Sequence, residues 1–316
     1  MSFAVKVKED LLKVNTNNRA ENLAMLEALF RFGGEVVISF PVRLRFTCNN
    51  IALIRYIVKL CKLYYDIEYQ IESRVIKRFD NKTVFTLEID KDADKIIKDL
   101  ELLVYESNLK KTKLEENVIV SYLRGAFLVR GTVNDPMSKN SHLEIASPSD
   151  HEIIFLQRLV NSFELNARIA KRKNNLVLYI KSKESIGDFL YRLGATSSME
   201  YYEDVVITKE IKATAKRTVN LELANQDKTN SAALEQLKYI KYLEYHYPLG
   251  KLDPKLLMVM KVRKEHPESS LMELLDIIND NYEENLTKSG LNHRIRRIKE
   301  IALEHQQMAL EKTSNH

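Results

Sequence analysis

Glycine is scarce in this sequence, with eight in 316 residues where average usage of about 7% would give roughly 22. Neither the GxGxxG nor the GxxxxGK[S/T] loop occurs, which excludes the common nucleotide-binding loops. The two cysteines are too few for a disulfide framework or a four-cysteine zinc site. No apolar run approaches the ~18 residues that a membrane span needs, and no signal-peptide stretch opens the chain. We therefore expect a cytoplasmic protein with reduced thiols and no membrane partner.

Patterns typical of catalysis or metal binding are missing as well. The seven histidines show no HxxxH spacing with a nearby glutamate on a predicted helix, and no Cys/His quartet occurs. No GxSxG nucleophile elbow is present. We accordingly predict no catalytic residue, no metal site and no cofactor. The net charge of +5 permits a polyanionic partner without requiring one.

The hydrophobic pattern instead predicts an α+β fold built from a repeat. The order helix–strand–strand–helix–strand–strand–helix occurs twice, in units of about 95 residues. We assign the two copies to residues 1–107 and 108–208, and place a last strand at residues 204–209. A linker at residues 209–228 with a basic start then leads to a helical domain at residues 229–316.

Two capping signals define a helix-turn-helix near the end of the chain, within residues 270–302. Ser270 and Glu273 fit a capping box, with a serine N-cap and a glutamate three residues on. Thr287 is placed to cap the next helix, flanked by Leu286 and Leu291 as a hydrophobic staple. We expect the second of these helices to be the recognition helix of the motif.

On a helical wheel, the apolar residues of this second helix form a seam on one side and its polar residues form an arc on the other. Leu291, Ile295, Ile298 and Ala302 form the seam, which must face the core. Arginine can hold guanine and asparagine can hold adenine through paired hydrogen bonds, while flanking cations can neutralise phosphates. An ordinary solvated helix face would look similar. The candidate DNA contacts are Lys288, Ser289, Asn292, His293, Arg294, Arg296, Arg297 and Lys299.

Several segments resemble the WhiA family of bacterial sporulation and cell-division regulators. They are residues 121–136 (SYLRGAFLVRGTVNDP), 142–145 (HLEI), 219–229 (VNLELANQDKT) and 287–298 (TKSGLNHRIRRI). The resemblance covers essentially the whole chain. It implies two LAGLIDADG-type half-domains, as in homing endonucleases, followed by a helix-turn-helix domain. It also implies binding of double-stranded DNA in cell-division or sporulation control rather than DNA cleavage.

The ends of the two motif helices test the implied loss of cleavage. A LAGLIDADG nuclease needs an acid there to hold a divalent metal at the scissile phosphates. Aligned to the motif, Gly33 and Arg130 occupy the two acid positions, and neither can ligate Mg²⁺. Arg130 lies either at an exposed helix end or against a polyanion. Ala28 and Gly125 are small where two such helices would cross closely.

A second surface follows from the nuclease fold, in which the sheets form a saddle over DNA. Arg43, Arg45 and Thr47 alternate with apolar residues and would lie on that face. With Arg130, the two strand arginines are candidate secondary polyanion contacts. The same alternation is equally typical of a solvated antiparallel sheet, and the saddle could also bind a protein or a ligand.

These observations favour a non-enzymatic, sequence-specific DNA-binding regulator, associated with the nucleoid and with cell division, sporulation and chromosome segregation. Residues 207–304 contain 17 Lys and Arg against 15 Asp and Glu, so specificity must depend on a few contacts. A protein-interaction factor in division, with another regulatory protein as partner and secondary DNA contact, is the alternative. A site-specific endonuclease is the enzymatic alternative that Gly33 and Arg130 oppose.

Overall fold

A computed structural model describes residues 1–76, 82–104, 114–147, 149–172, 175–282 and 284–314. The chain forms two compact units, Met1–Glu210 and Ile211–His316. The first unit contains the two predicted repeats and both sheets, and the second is helical throughout its regular structure. The α+β class and the order of the two architectures are therefore as the sequence predicts.

The first unit has the predicted element order twice, after an additional helix that the sequence pattern did not reveal. This helix is α1 (Phe3–Leu11). The first repeat contains α2 (Arg19–Gly33), β1 (Gly34–Val37), β2 (Arg43–Cys48), α3 (Ile51–Tyr64), β3 (Tyr69–Ile76), β4 (Lys82–Ile89) and α4 (Ala93–Asp99). The second contains α5 (Glu116–Arg130), β5 (Gly131–Val133), β6 (Leu143–Ala146), α6 (Asp150–Asn161), β7 (Arg168–Arg172), β8 (Asn175–Ile180) and α7 (Lys183–Leu193).

Each repeat forms a four-stranded antiparallel sheet, in the orders β1-β2-β4-β3 and β5-β6-β8-β7. Helices α2 and α5, the motif helices, pack against each other within the core of the unit. A Cβ added at Gly125 would lie 2.8 Å from the Cβ of Ala28 and 2.8 Å from the carbonyl oxygen of Met25. Only glycine fits this contact, which confirms the close crossing expected there.

Local capping explains where several helices begin, and it corrects one prediction. The sequence predicts Asp150 as the N-cap of α6, but the cap is Ser149. Ser149 has extended backbone angles and its Oγ accepts from the backbone N–H of Glu152 at 3.3 Å. Asp150 is already helical, and its carboxylate lies in the first turn, where the helix dipole favours negative charge.

The last predicted strand of the first unit, at residues 204–209, is wrong. These residues belong to α8 (Thr196–His246), a helix of 51 residues. The apolar run there fits a buried strand, but the helical period places Ser198 and Tyr202 one turn apart on the buried side of α8. The predicted linker at 209–228 and the first part of the predicted helical domain, residues 229–245, also lie within α8.

The sequence of residues 92–106 predicts one helix over that whole range, but the helix there is shorter. It ends at Asp99, and its last two predicted residues lie outside the described part of the chain. Glu101 has a left-handed backbone with a φ of 49°, which interrupts the helical hydrogen-bond pattern soon after α4.

A buried charged cluster connects the two repeats. The Arg31 guanidinium lies 2.7 Å from a carboxylate oxygen of Glu27 and 3.4 Å from one of Glu152, and all three side chains are at most 8% exposed. Tyr122 donates to the other Glu152 oxygen at 3.0 Å. Arg31 and Glu27 belong to α2, while Tyr122 and Glu152 belong to α5 and α6. One guanidinium therefore stabilises two carboxylates across the repeat boundary.

Lys8 of α1 gives a pH-dependent prediction. Burial lowers the pKa of Lys8 from 10.5 to about 8, with Cys48 raising it and the nearby Arg130 lowering it further. Below pH 8 the folded chain bears the full cost of a partly buried ammonium, and this cost disappears as the pH rises from about 8 to 10.5. We expect Lys8→Met to increase the free energy of unfolding by about 2 kcal/mol at pH 7.

Denaturant unfolding of Lys8→Met and of the unchanged protein at pH 7 and near pH 10 checks this expectation. The gain should shrink at the higher pH, because both proteins then fold without a charged group at this position. Lys6→Met, on an exposed side chain of the same helix, is the matched control. An equal gain at both pH values would mean that added apolar packing, and not the charge, produces the effect.

The second unit comprises the end of α8, a short 3₁₀ turn at Leu249–Lys251, and three helices. These are α9 (Pro254–Glu265), α10 (Leu271–Tyr282) and α11 (Lys288–Ser314). The predicted capping box is confirmed, because Glu273 accepts from the Ser270 N–H at 2.6 Å and Ser270 Oγ accepts from the Glu273 N–H at 3.3 Å. Within the described residues, no helix is both long and apolar enough to span a membrane.

Candidate nucleic-acid interface

The orientation of α11 follows from its cap and its apolar seam. Thr287 Oγ1 accepts from the Gly290 N–H at 3.1 Å, as the predicted N-cap requires. Leu291 and Ile298 are at most 3% exposed and pack in the core with α9 and α10. The opposite side of the helix is therefore turned outward. Its exposed residues include Ser289, Asn292, His293 and Arg296.

A groove of about 960 Å³ runs along this outward side of α11. Residues of α8 and α9 form its other wall, among them Ala232, Glu235 and Gln236 of α8 and Arg263 of α9. Four cations and two acids line it. Six of the eight predicted contacts are brought together there: Lys288, Ser289, Asn292, His293, Arg296 and Lys299.

The cations of the groove differ in their partners. Lys299 Nζ lies 2.6 Å from a carboxylate oxygen of Glu235 and 5.4 Å from the ring centre of Tyr239. This hydrogen bond raises the pKa of Lys299 and lowers that of Glu235. Lys288 and Arg296 are exposed and form no ion pair with any described residue. Their charges are consequently available to an external anion.

Arg294 and Arg297 lie on another side of α11, along a second cleft of about 650 Å³. The Arg294 guanidinium is 2.7 Å from a Glu284 carboxylate oxygen, with its side chain only 14% exposed. Arg297 pairs with Glu300 at 3.1 Å and with Glu304 at 3.7 Å. The helical wheel could not reveal Glu284, which lies outside α11, whereas Glu300 and Glu304 follow Arg297 by three and seven residues on the same helix. DNA contact by the two arginines stays a prediction, and their pairing opposes it.

Arg263 and Gln236 are groove residues that the sequence did not single out. Arg263 is 2% exposed and donates from Nη1 to the Ser269 carbonyl at 2.6 Å, which fixes the turn before α10. Burial lowers the pKa of Arg263. The Gln236 Oε1 and Arg263 Nε atoms are buried and have no hydrogen-bond partner among the described residues. Nothing in the pattern of α9 distinguishes this arginine from an exposed one.

In the first unit, the strand arginines meet acids across their sheet. Arg43 lies 3.1 Å and Arg45 2.7 Å from the carboxylate of Glu88 on β4, and Glu35 is 3.6 Å from Arg45. Thr47 and Thr86 hydroxyls are 3.3 Å apart. These pairs reduce the charge that the arginines can offer to a polyanion. Their proposed secondary contact therefore remains a prediction that the ion pairs do not favour.

The ends of the motif helices do not fit the metal site of a nuclease. A Cβ at Gly33 would lie 2.7 Å from both Phe46 Cε2 and Val129 Cγ1, which leaves no room for a carboxylate. Arg130 is exposed, and its Nε donates to the Phe32 carbonyl at 2.7 Å, at the end of α2. Among the described residues, no group of three or more His, Cys, Asp or Glu side chains is arranged to hold a metal ion.

Family comparisons cover almost all of the chain. A family described as "WhiA N-terminal LAGLIDADG-like domain" matches residues 19–103. The "WhiA LAGLIDADG-like domain" matches residues 119–212, and the "WhiA C-terminal HTH domain" matches residues 215–302.

Individual relatives agree with these matches. The chain is 36% identical over 313 residues to the "Probable cell division protein WhiA" of Exiguobacterium sibiricum, covering 96% of each chain. It is 34% identical over 310 residues to the protein of the same name from Bacillus subtilis, again covering 96% of each. The crystal structure of full-length DUF199/WhiA from Thermatoga maritima matches with a TM-score of 0.58 and 25% identity, over 96% of this chain and 98% of that one.

Proposed function

This chain belongs to the WhiA family, and on that premise we propose that it is a sequence-specific DNA-binding regulator of bacterial cell division. Its relatives are named as cell-division proteins. Sporulation control, chromosome segregation and association with the nucleoid are parts of the same proposal. The observation that carries it is the exposed polar face of α11, where Lys288 and Arg296 have no acidic partner among the described residues.

In this proposal the first turns of α11 enter the major groove, which at about 12 Å is wide enough for one helix. Arg296 would hold guanine O6 and N7, and Asn292 would hold adenine N6 and N7. Ser289 and Gly290 are small enough to let the backbone approach the bases. Lys288, at the first residue of α11, would meet a phosphate.

Selection of bound sites from random double-stranded DNA with the full chain tests the proposal. We expect one sequence to be enriched and bound about 10³-fold or more tightly than unrelated DNA at the same salt concentration. Recovery of DNA without a common sequence would contradict sequence-specific binding. Pairwise comparison of the selected site with single-base variants would then identify the base pairs that α11 reads.

Lys288→Ala should weaken binding to all DNA sequences by a similar factor. A lost phosphate contact reduces the number of released counterions, so the slope of log K against log salt should fall by about one. Binding titrations at several salt concentrations measure both quantities. Lys261→Ala, at an exposed lysine of α9 outside the groove, is the matched control and should leave the slope unchanged. Equal slopes for the two variants would place the phosphate contact elsewhere.

We further propose that the chain does not cleave DNA. Gly33 is packed too tightly for an acid, and the other motif helix ends in Arg130 with the half-buried Lys8 nearby. Two cations near this position would repel a divalent metal ion. Incubation of supercoiled plasmid carrying the selected site with the protein and Mg²⁺ should give no nicked or linear product. Mg²⁺-dependent nicking at that site would contradict this part of the proposal.

A further inference from the structure

A long part of α8 has no role in the fold or in the groove described above. Every side chain from residue 210 to residue 228 is exposed. A helix without packing contacts gains little stability from tertiary structure. The segment also contains most of the VNLELANQDKT sequence at residues 219–229, which neither a core nor a catalytic role explains.

Helical geometry relates this segment to the groove. Ala232, Glu235 and Gln236 of α8 line the groove beside α11. Residues three, four and seven positions apart lie on the same helix face. Stepping back from Ala232 by those intervals reaches Thr229, Lys228 and Asn225. The groove-lining face of α8 therefore continues about 10 Å beyond the groove, at 1.5 Å per residue.

The side chains of this extension, which we call the α8 strip (Asn225, Lys228, Thr229 and Ala232), suit a phosphate backbone. Asn225 contributes amide donors and Lys228 an ammonium, and neither side chain has a partner among the described residues. Thr229 Oγ1 donates to the Asn225 carbonyl at 3.0 Å, so it stays close to the helix. Ala232 leaves space for close approach, and the strip contains no acid.

The proximity of the two helices also fits DNA. The ion pair of Lys299 with Glu235 at 2.6 Å brings α11 and α8 into side-chain contact. The major groove is about 12 Å wide and a helix with its side chains about 10–12 Å across, so one helix fills it. A neighbouring helix in side-chain contact with α11 would therefore lie outside the groove, over the flanking sugar–phosphate strand.

From this arrangement we propose that the α8 strip is a second DNA contact, on the phosphate backbone beside the groove that α11 enters. The inference rests on the proposed function, because it takes DNA docked on α11 as its starting point. The strip supplies affinity without base readout, since phosphates have the same chemistry in every sequence. It also gives residues 219–229 a function that their exposure alone leaves unexplained.

Two pairs of matched substitutions in the full chain test the strip. Asn225→Asp places a negative charge on it, whereas Asn220→Asp places the same charge on an exposed position of the same helix about 140° away. We expect Asn225→Asp to weaken binding to the selected site and to unrelated DNA by about tenfold at low salt. Asn220→Asp should change either affinity less than twofold.

The second pair compares Lys228→Ala with Lys241→Ala. Lys241 is an exposed lysine of α8 that lies about 140° around the helix from Lys228. Lys228→Ala should lower the salt slope by about one, and Lys241→Ala should leave it unchanged. None of the four side chains is buried, so folding should persist, and circular dichroism verifies this.

Arg296→Ala, measured in the same titrations, separates the two proposals. If Arg296→Ala loses its preference for the selected site and the two variants within each matched pair bind DNA equally, the α8 strip is not a DNA contact. The assignment of α11 as the recognition helix is then retained. If Arg296→Ala binds as the unchanged protein does, the recognition-helix assignment fails. If the two variants of a matched pair then differ in DNA binding, α8 is still a DNA contact.

Discussion

Replacement of Arg31 by alanine should lower the free energy of unfolding of the first unit by about 3–5 kcal/mol. The guanidinium lies between Glu27 and Glu152 in a site where these side chains are at most 8% exposed. Its removal takes a cation away from two buried carboxylates, and a buried charge that loses this ion pair costs more than the lost hydrogen bonds alone. Because the ion pair of Arg31 with Glu152 joins the two repeats, the whole LAGLIDADG-like unit should lose stability.

Denaturant unfolding at pH 7 measures this loss, with Arg55→Ala as the control on an exposed arginine of α3. The control should stay within about 0.5 kcal/mol of the unchanged protein. A loss in unfolding free energy below about 1 kcal/mol for Arg31→Ala at pH 7 would show that the charged cluster contributes little to the stability of the first unit.

Arg296→Ala should cost about 1–3 kcal/mol in binding to the selected site, or about 5- to 150-fold in affinity. Arg296 is exposed at the groove and has no acidic partner among the described residues, so its fork of donors is free for a base. The loss should be much smaller for unrelated DNA, because a base contact matters only where the base is present. Specificity should relax at one base pair.

Arg296→Lys provides the sharpest comparison, since it keeps the charge and loses the planar fork. We expect this variant to bind unrelated DNA as before and still to lose discrimination at that base pair. If Arg296→Lys retains full specificity, the arginine contacts phosphate and base readout lies elsewhere on α11. In cells, Arg296→Glu separates regulation from a protein-interaction role, because retained function with DNA binding lost would contradict the regulator.

The sequence predicted most of the elements correctly. The correct predictions concern features that depend only on residues within one short segment. The capping box at Ser270 and the N-cap at Thr287 each depend on residues three positions apart, and both form. The exposed arc of α11 follows from its apolar seam in the same way. Residues 204–209 show the limit of such reasoning, because a short apolar run fits a strand or a helix until its neighbours are known.

The sequence by itself determined the repeat, the helix-turn-helix and the absence of acids where a nuclease would need them. Those features depend on residue type and local period. Only the tertiary structure decided which cations are free. Glu284 pairs with Arg294 and Glu88 with both strand arginines, from positions ten or more residues away. Charge is set by the sequence, but its availability depends on which distant side chains the fold brings within hydrogen-bond distance, as it does for Lys299 and Glu235.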